Sequence, residues 1–445
     1  MLQKMPENFV WGAATSAFQV EGALECDGAG ATNWLNYCRQ KGNIRNNDIP
    51  TTGCDQYHLY KEDVALMKRL NLKAYRFSLN WARIFPEAGR LNEKGLAYYQ
   101  NLVDALRDAG IEPYVTIFHW DLPQYLEDAG GWRKKETAQK LGDFAAFMAE
   151  KFGEKVRHYF TVNEIGMFTA GGYNGSGHPP GIKLPLQQIY QTIHHGNLAH
   201  GFVAQALRAA APHAEIGIAN NPGIIVPVWE TPENVDAARR ATRLENAVSQ
   251  TAIEEGRYPD EFLETLGADA PRFTDEEMKI ISTPTDFTGF NVYTARYCVP
   301  DAGNPRGYRI IDRAADHPYL HLSWIRQVPS SIYYGAKFIS ELWGKTVYVS
   351  ENGCSADDKI DENGGINDTG RLEYLRSHLL GVRRACDEKI PVKGYFLWSL
   401  LDNFEWKEGF FPRFGIVHVD YATKARTPKL SAEYYAGCIR ANAVL

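Results

Sequence analysis

The protein has 445 residues, of which 44% are hydrophobic and 23% charged, and its formal net charge is -6. This composition is typical of a globular protein, and the lack of a basic run with interleaved aromatic residues argues against nucleic-acid binding. No stretch approaches the roughly 18 apolar residues of a membrane span, and the N-terminal segment lacks the apolar core of a signal peptide. The seven cysteines are scattered and form no CxxC pair, so we expect free thiols and a cytoplasmic protein.

Short apolar runs alternate with segments of helical spacing along the chain, which indicates βα units. Eight strands are predicted, covering residues 9–14, 74–79, 113–118, 158–162, 215–219, 287–292, 346–350 and 394–401. Polar or aromatic residues stand where nearly every run ends. In a (β/α)8 barrel the active site lies at the carboxyl ends of the strands, whereas an open doubly wound sheet concentrates its chemistry at one switch point. The pattern therefore predicts an α/β protein with one TIM barrel, spanning residues 1–445 as a single domain.

The last predicted strand runs into a loop that is dense in aromatic rings and polar groups. The segment KGYFLWSLLDNFEW, residues 393–406, contains Trp398, Asp402, Asn403, Glu405 and Trp406. Indole rings can stack on the C–H faces of a sugar, while carboxylates and amides can pair with its hydroxyls. We interpret this loop as part of a carbohydrate site, with a buried strand followed by a solvated turn as the alternative.

Two acids, Glu164 in FTVNEIG and Glu351 in YVSENG, each stand beside an Asn at the end of a predicted strand. Glycosidic bond cleavage needs two carboxyl groups, one to protonate the leaving oxygen and one to attack the anomeric carbon or activate water. The fourth and seventh strands lie on roughly opposite sides of an eight-stranded barrel, so their side chains can meet across its mouth. Arg76 and Tyr293 are available from neighbouring strand ends. A single acid at a strand end is more often a helix cap or a rim charge, and it is the pair that favours catalysis.

Motifs along nearly the whole chain resemble those of the family 1 glycoside hydrolases. The matching segments are FVWGAATSAFQVEG, YKEDVALMKRLNLKAYRFSLNWARIFP, PYVTIFHWDLP, TVNEIG, DFTGFNVYT, SENG, SLLDNFEW and RFGIVHVDY. The resemblance implies a (β/α)8 barrel that hydrolyses terminal, non-reducing β-D-glucosyl residues with retention of configuration, without a cofactor or metal. Galactosides and fucosides are expected as further substrates.

The resemblance also assigns roles to residues. Glu164 matches the acid/base of the family and Glu351 its nucleophile, which Arg76 and Tyr293 should keep ionised. The residues that match the sugar-binding positions are Gln19, His119, Trp120, Asn163, Trp398, Glu405 and Trp406, to which we add Phe414. Asn221 and Trp324 are candidates for the outer subsite. The expected ligands are small β-glycosides or short oligosaccharides, and the oligomeric state stays open.

Three alternatives stay open at this point. The NEIG form and the downstream PPGIK resemble the 6-phospho-β-galactosidase branch, a group of 6-phospho-β-glycosidases, although Glu405 stands where that branch has Ser. A metal-dependent hydrolase could use His119, His178, His194, His195 and His200, but no HExxH spacing supports it. A carbohydrate-binding protein without catalysis would be indicated by loss of Glu164 or Glu351, and neither is lost.

Overall fold

The computed structural model describes residues 3–445, in which parallel strands close into an eight-stranded barrel. The barrel strands are β1 Val10–Ala14, β2 Ala74–Ser78, β3 Glu112–Phe118, β4 His158–Asn163, β5 Glu215–Asn220, β6 Phe287–Asn291, β7 Val347–Asn352 and β8 Val392–Trp398. Closure occurs where β8 pairs with β1, from Gly394 opposite Val10 to Trp398 opposite Ala14. The predicted (β/α)8 barrel is confirmed. Residues 1 and 2 lie outside the described residues. Both belong to the N-terminal segment that was considered as a signal peptide and to the predicted single domain.

The longer helices flank the barrel. They are α1 Gln56–Arg69, α2 Glu93–Asp108, α3 Glu136–Phe152, α4 Leu186–Ala210, α5 Pro232–Glu245, α6 Ser330–Trp343, α7 Thr369–Asp387 and α8 Leu430–Ala441. Helix α2 illustrates the packing, because its buried residues Tyr99, Leu102 and Leu106 recur at helical spacing on one face. Across residues 3–445, no helix is both long and apolar enough to cross a bilayer.

Shorter elements lie in the loops between these strands and helices. The short helices are Ala17–Val20, Asn33–Cys38, Trp81–Ile84, Gln124–Asp128, Ile165–Phe168, Ala170–Tyr173, Gln250–Glu255, Asp260–Leu266 and Asp275–Ile281. A three-stranded sheet consists of Ile225–Pro227, Arg296–Pro300 and Tyr308–Ile311. Two antiparallel pairs join Gln3–Lys4 to Ala443–Val444 and Val417–Val419 to Arg426–Pro428.

Aromatic rings fill the interior of the barrel below the strand ends. The buried rings of this interior belong to Tyr114, Phe160, Phe287, Tyr348 and Phe396, with Phe160 and Phe287 centred 5.2 Å apart. Glycine makes room for them on neighbouring strands, since a Cβ on Gly217 would lie 2.2 Å from the ring of Phe287. The guanidinium of Arg76 lies 4.8 Å from the centre of the Phe160 ring. The interior therefore forms a packed floor, and the space for a ligand lies above it, at the carboxyl ends of the strands.

The carboxyl ends of two predicted strands differ from the structure by more than one residue. The apolar run predicted a strand to residue 401, but β8 ends at Trp398. The strand stops there because the next residues pair with a different segment. Ser399 donates from its backbone N–H to the carbonyl of Phe414, and Val417 donates to the carbonyl of Leu400. The other correction concerns β7, which extends to Asn352 rather than stopping at residue 350, so Glu351 belongs to the strand itself.

Candidate active site

The carboxyl ends of the barrel strands surround a cavity of about 440 Å³. The predicted site residues that line it are His119, Trp120, Glu164, Asn221, Tyr293, Trp324, Glu351, Trp398, Glu405, Trp406 and Phe414. Gln19, Arg76 and Asn163 are buried and reach the site through contacts with these residues. The cavity is also lined by residues that the sequence analysis did not assign to sugar binding, namely Met167, His178, Leu322, Lys407 and Glu408.

Glu351 is held by hydrogen bonds to both of its carboxylate oxygens. Arg76 Nη1 donates to Oε1 at 2.7 Å, and the hydroxyl of Tyr293 donates to Oε2 at 2.8 Å. Burial raises the pKa of Glu351, while the charge of Arg76 and the two hydrogen bonds oppose that rise. These contacts stabilise the ionised form of Glu351 and fix both oxygens at the cavity wall.

Glu164 is the first residue after β4 and has a left-handed backbone conformation, with φ of 50°. Its backbone N–H donates to the carbonyl of Ala219 at 2.8 Å, which holds this turn against β5. The side chain receives its hydrogen bond from a neutral amide, Asn291 Nδ2, at 2.7 Å from Oε1. Burial and the nearby charge of Glu351 raise the pKa of Glu164 to about 8. The raised pKa favours the protonated form of Glu164 at neutral pH.

An amide network joins the two acids beneath the cavity. Asn163 Oδ1 accepts from Arg76 Nη2 at 2.6 Å and from Asn291 Nδ2 at 3.1 Å. Asn291 Oδ1 in turn accepts from Ser350 Oγ at 2.7 Å. Asn291 lies near the end of the predicted sixth strand, residues 287–292, but it was not assigned to the site. The signal that singled out Glu164 and Glu351, a polar side chain at a strand end, also applies to it.

His119 is a neutral hydrogen-bond acceptor towards this network. Arg76 can only donate, so the oxygen of the Asn163 amide faces Arg76 and its nitrogen faces His119 Nε2, at 3.1 Å. Burial and the charge of Arg76 lower the pKa of His119 well below its ordinary value. Because Nε2 accepts, the proton of the neutral ring lies on Nδ1, and this atom has no partner within residues 3–445.

A third carboxylate, that of Glu405, lines the cavity and is partly exposed. Burial and the charges of Glu351 and Glu164 raise its pKa to about 8. Gln19 lies behind it and is almost fully buried, with Nε2 donating to Phe404 O at 2.7 Å and to Glu405 Oε2 at 3.4 Å. Gln19 thus supports the loop that carries Glu405.

Indole rings form much of the remaining wall. The rings of Trp406 and Trp120 are centred 4.4 Å apart, and Trp406 also packs against Trp34 at 4.5 Å. The Trp398 ring lies nearly parallel to His119, at 5.8 Å and 19°. At the mouth, Trp324 is 48% exposed and meets the edge of Tyr293. His178, which sequence reasoning did not assign to sugar binding, enters from a loop and contacts Trp120.

The five histidines of the metal hypothesis do not converge. His119 and His178 line the cavity, whereas the other three are buried on α4. His194, His195 and His200 contact the hydroxyl of Tyr258, the carbonyl of Trp132 and the hydroxyl of Thr161, respectively. In the part of the chain that the structure describes, no group of three or more His, Cys, Asp or Glu side chains could hold a metal ion.

Comparisons with known proteins agree over nearly the whole chain. The model of a family described as "Glycosyl hydrolase family 1" matches residues 1–444. The 1,4-beta-D-glucan glucohydrolase of Thermotoga neapolitana is 37% identical over 444 residues, which cover 99% of each chain. The solved structure of the family 1 b-glucosidase from Thermotoga maritima in complex with isofagomine lactam is similar with a TM-score of 0.90 and 35% identity, over 100% of both chains. A complex of the beta-glucosidase from the same organism with galacto-hydroximolactam gives 0.91 and 36%, again over 100% of both chains.

Proposed function

The chain belongs to glycosyl hydrolase family 1, and we propose that it is a retaining β-glucosidase that releases terminal, non-reducing β-D-glucosyl residues. One observation carries the proposal for the site. Two buried carboxyl groups line the same cavity, and Glu351 is paired with a cation while Glu164 is paired with a neutral amide. The first arrangement favours a nucleophile and the second an acid, which are the two roles that retaining glycoside hydrolysis needs.

In the first step, Glu351 attacks the anomeric carbon of the sugar as the bond to the leaving oxygen breaks. Glu164 gives its proton to that oxygen, so the aglycone leaves as a neutral alcohol and Glu351 becomes an ester of the sugar. Tyr293 and Arg76 hold the attacking carboxylate in place through the contacts to its two oxygens.

In the second step, a water molecule attacks the anomeric carbon and Glu351 leaves as a carboxylate. Glu164, now ionised, takes the proton of that water and returns to its starting form. The change of role follows from electrostatics, because the charge of Glu351 contributes to the raised pKa of Glu164. Esterification removes that charge, so the pKa of Glu164 falls when it must act as a base.

We assign sugar binding to the polar groups that the protein leaves unpaired. The Nδ1–H of His119 and the second amide N–H of Asn163 are available to donate to sugar hydroxyls. Glu405, Trp398 and Trp406 all line the cavity. We assign Glu405 to accept from the 4- and 6-hydroxyls, and the two indole rings to stack on the sugar. Phe414 contributes apolar wall, and Asn221 and Trp324 stand at the outer part of the cavity.

A plain glucoside fits this cavity better than a 6-phosphoglycoside at a pH above the pKa of Glu405, because the phosphate would then face the ionised carboxylate of that residue. Arg413 is directed elsewhere, because its Nη1 donates to Asp402 Oδ2 at 2.7 Å and to Val419 O at 3.1 Å. The basic residue that does line the cavity is Lys407, on the exposed rim. We therefore propose discrimination of about 100-fold or more against a 6-phosphate.

The test is a panel of 4-nitrophenyl β-glycosides carrying glucose, galactose, fucose and 6-phosphoglucose, each assayed with and without a chelator. We expect turnover of the glucoside, galactoside and fucoside that the chelator does not change, and little turnover of the 6-phosphoglucoside. A preference for the phosphorylated sugar would favour the 6-phospho-β-glycosidase alternative, and loss of activity with chelator would favour a metal-dependent hydrolase. Binding of glucose without turnover of any substrate would indicate a carbohydrate-binding protein.

Three further expectations remain proposals. We propose that residues 1–445 form a single catalytic domain, that the natural substrates are small β-glycosides or short oligosaccharides, and that the protein is cytoplasmic. The cysteines of residues 3–445 are free thiols, which is compatible with a reducing compartment.

A further inference from the structure

Six charged side chains form a buried cluster behind the cavity, near the carboxyl ends of β7 and β8. This charged cluster consists of Asp358, Asp368, Arg371, Asp402, Arg413 and Lys429. Five of the six side chains are 0–1% exposed, and Arg413 is 22% exposed. Three carboxylates face three cations, so the formal charges cancel. None of the six lines the cavity.

Lys429, immediately before α8, makes the central contacts of the charged cluster. Its Nζ donates to Asp402 Oδ1 at 2.6 Å, to Gly415 O at 2.7 Å and to Asp358, which uses all three of its hydrogens. Burial lowers the pKa of Lys429, and Asp402 and Asp358 oppose this change. Burial alone would raise the pKa of Asp402, but Lys429 and Arg413 hold it below its ordinary value.

Asp402 joins two chain segments that border the cavity. Its Oδ1 accepts from the backbone N–H of Gly415 at 3.0 Å, and its Oδ2 accepts from Arg413. A Cβ on Gly415 would lie 2.0 Å from the backbone nitrogen of Asp402, so only glycine allows this approach. One of the joined segments carries Glu405, three residues after Asp402, and the other carries Phe414, between Arg413 and Gly415.

Glu405 has little direct support of its own. Its side chain receives a long hydrogen bond of 3.4 Å from Gln19, and no salt bridge to it occurs within residues 3–445. The position of its carboxylate therefore depends on the backbone of its segment. Before Glu405, that backbone is fixed by Gln19, which donates to Phe404 O, and by Asp402. At Glu405 itself, the backbone N–H donates to Gly409 O at 2.7 Å.

We propose that Lys429 is a positioning residue for sugar recognition, acting through Asp402 to hold Glu405 where it meets the 6-hydroxymethyl group of a glucosyl residue. The inference rests on the proposed sugar-binding role of Glu405. If Lys429 has this role, its loss weakens the contact between Glu405 and the 6-hydroxymethyl group more than it slows cleavage of the glycosidic bond. The effect then differs between a glucoside and a xyloside, which lacks the 6-hydroxymethyl group.

The experiment measures kcat/KM for 4-nitrophenyl β-D-glucoside and for the matching β-D-xyloside with Lys429→Met. We expect the glucoside to xyloside ratio to fall by about tenfold or more, because Glu405 no longer meets the hydroxyl that it selects. The ratio does not depend on the fraction of folded enzyme, so a loss of stability by itself leaves it unchanged. Lys429→Arg keeps the charge and should restore part of the ratio.

Lys345→Met is the matched control. Lys345 precedes β7, at the opposite end of the barrel, and pairs with the buried side chain of Glu254 at 3.1 Å. This change removes the same chemical group from an ion pair with a buried carboxylate, so we expect lower stability and a ratio within about twofold of wild type. If Lys429→Met does not fold, Arg413→Met replaces it as the test variant, because Arg413 is a less buried partner of Asp402. We expect Arg413→Met to lower the ratio by about threefold or more.

The outcomes separate the two proposals. Turnover of both substrates by the wild-type enzyme supports the proposed function. If the wild-type enzyme cleaves neither substrate, the proposed function is overturned together with the inference that rests on it. If the wild-type enzyme is active but the ratio is unchanged in Lys429→Met, the positioning role alone is overturned. Arg413→Met decides in the same way if Lys429→Met does not fold. An equal fall of the ratio in Lys345→Met would also overturn it, since any buried ion pair would then have the same effect.

Discussion

The ends of β4 and β7 present the same side chain in different surroundings. At the end of β7, Glu351 meets the guanidinium of Arg76 and the hydroxyl of Tyr293. At the end of β4, the Glu164 side chain has one hydrogen-bond partner within residues 3–445, the neutral amide of Asn291. Both acids are buried, so burial does not distinguish them. The difference in partners separates their proton affinities, and with it the role that each can play.

The largest expected effect comes from removing the charge at β7. Glu351→Gln should lower kcat for a 4-nitrophenyl glucoside by more than about 10,000-fold, because the amide cannot form the covalent intermediate. Glu408→Gln is the matched control, since Glu408 lines the rim of the same cavity and should stay within about threefold of wild type. Steady-state rates near wild type in Glu351→Gln would show that the nucleophile is wrongly assigned.

The next effect comes from removing the acid at β4. Glu164→Ala should lower kcat/KM about 1,000-fold for substrates with poor leaving groups, but much less for a dinitrophenyl glucoside, which needs little protonation. Added azide should restore turnover by attacking the glycosyl intermediate, and NMR of the product should show a β-glucosyl azide. An α-glucosyl azide, or equal losses for all leaving groups, would contradict the two-role assignment.

The difference between the two acids also sets the shape of the pH profile. Glu164 acts first in its protonated form, so activity should be lost as pH rises through its pKa of about 8, about tenfold for each further unit. With a phenyl glucoside, whose leaving group needs protonation, Glu164→Gln should lose this alkaline limb in kcat/KM. Glu405 has a similarly raised pKa, so Glu405→Gln provides the control, and we expect it to keep the limb. A limb that disappears in Glu405→Gln instead would move the assignment to that residue.

The smallest effect is expected from a single hydrogen bond at β7. Tyr293→Phe removes the donor to Glu351 Oε2 and should lower kcat by about tenfold. Because that bond favours the ionised form, its loss should raise the pKa of Glu351 and move the acid limb of the profile to higher pH. Rate measurements across the acid limb on both enzymes test this, and an acid limb that moves to lower pH would contradict it.

The sequence allowed the barrel and the positions of both acids to be predicted, since each depends on local patterns. Apolar runs located the strands, and polar residues at their ends located Glu164 and Glu351. The limit of local patterns appears after Trp398, where the apolar run continues although the strand ends. Residues 399–401 pair there with a later segment around Phe414 and Val417, beyond the intervening loop, and no local spacing reveals such pairing.

Contacts between distant segments were beyond prediction for the same reason. Asn291 was correctly placed at a strand end, but its bond to Glu164 joins β6 to the end of β4 across β5. His178 enters the cavity from a loop that carries no periodic pattern. The left-handed backbone of Glu164 also had no signal, because glycine or asparagine usually occupies such positions.

The indole-rich wall gives the protein an optical property. Four of its ten tryptophans, Trp120, Trp324, Trp398 and Trp406, line the cavity. A sugar that stacks on these rings displaces water from them and changes the polarity that they sense, so their emission spectrum should respond to occupancy. In Glu351→Gln, where turnover is blocked, a titration followed by intrinsic fluorescence would then give the dissociation constant of an intact glycoside without any label.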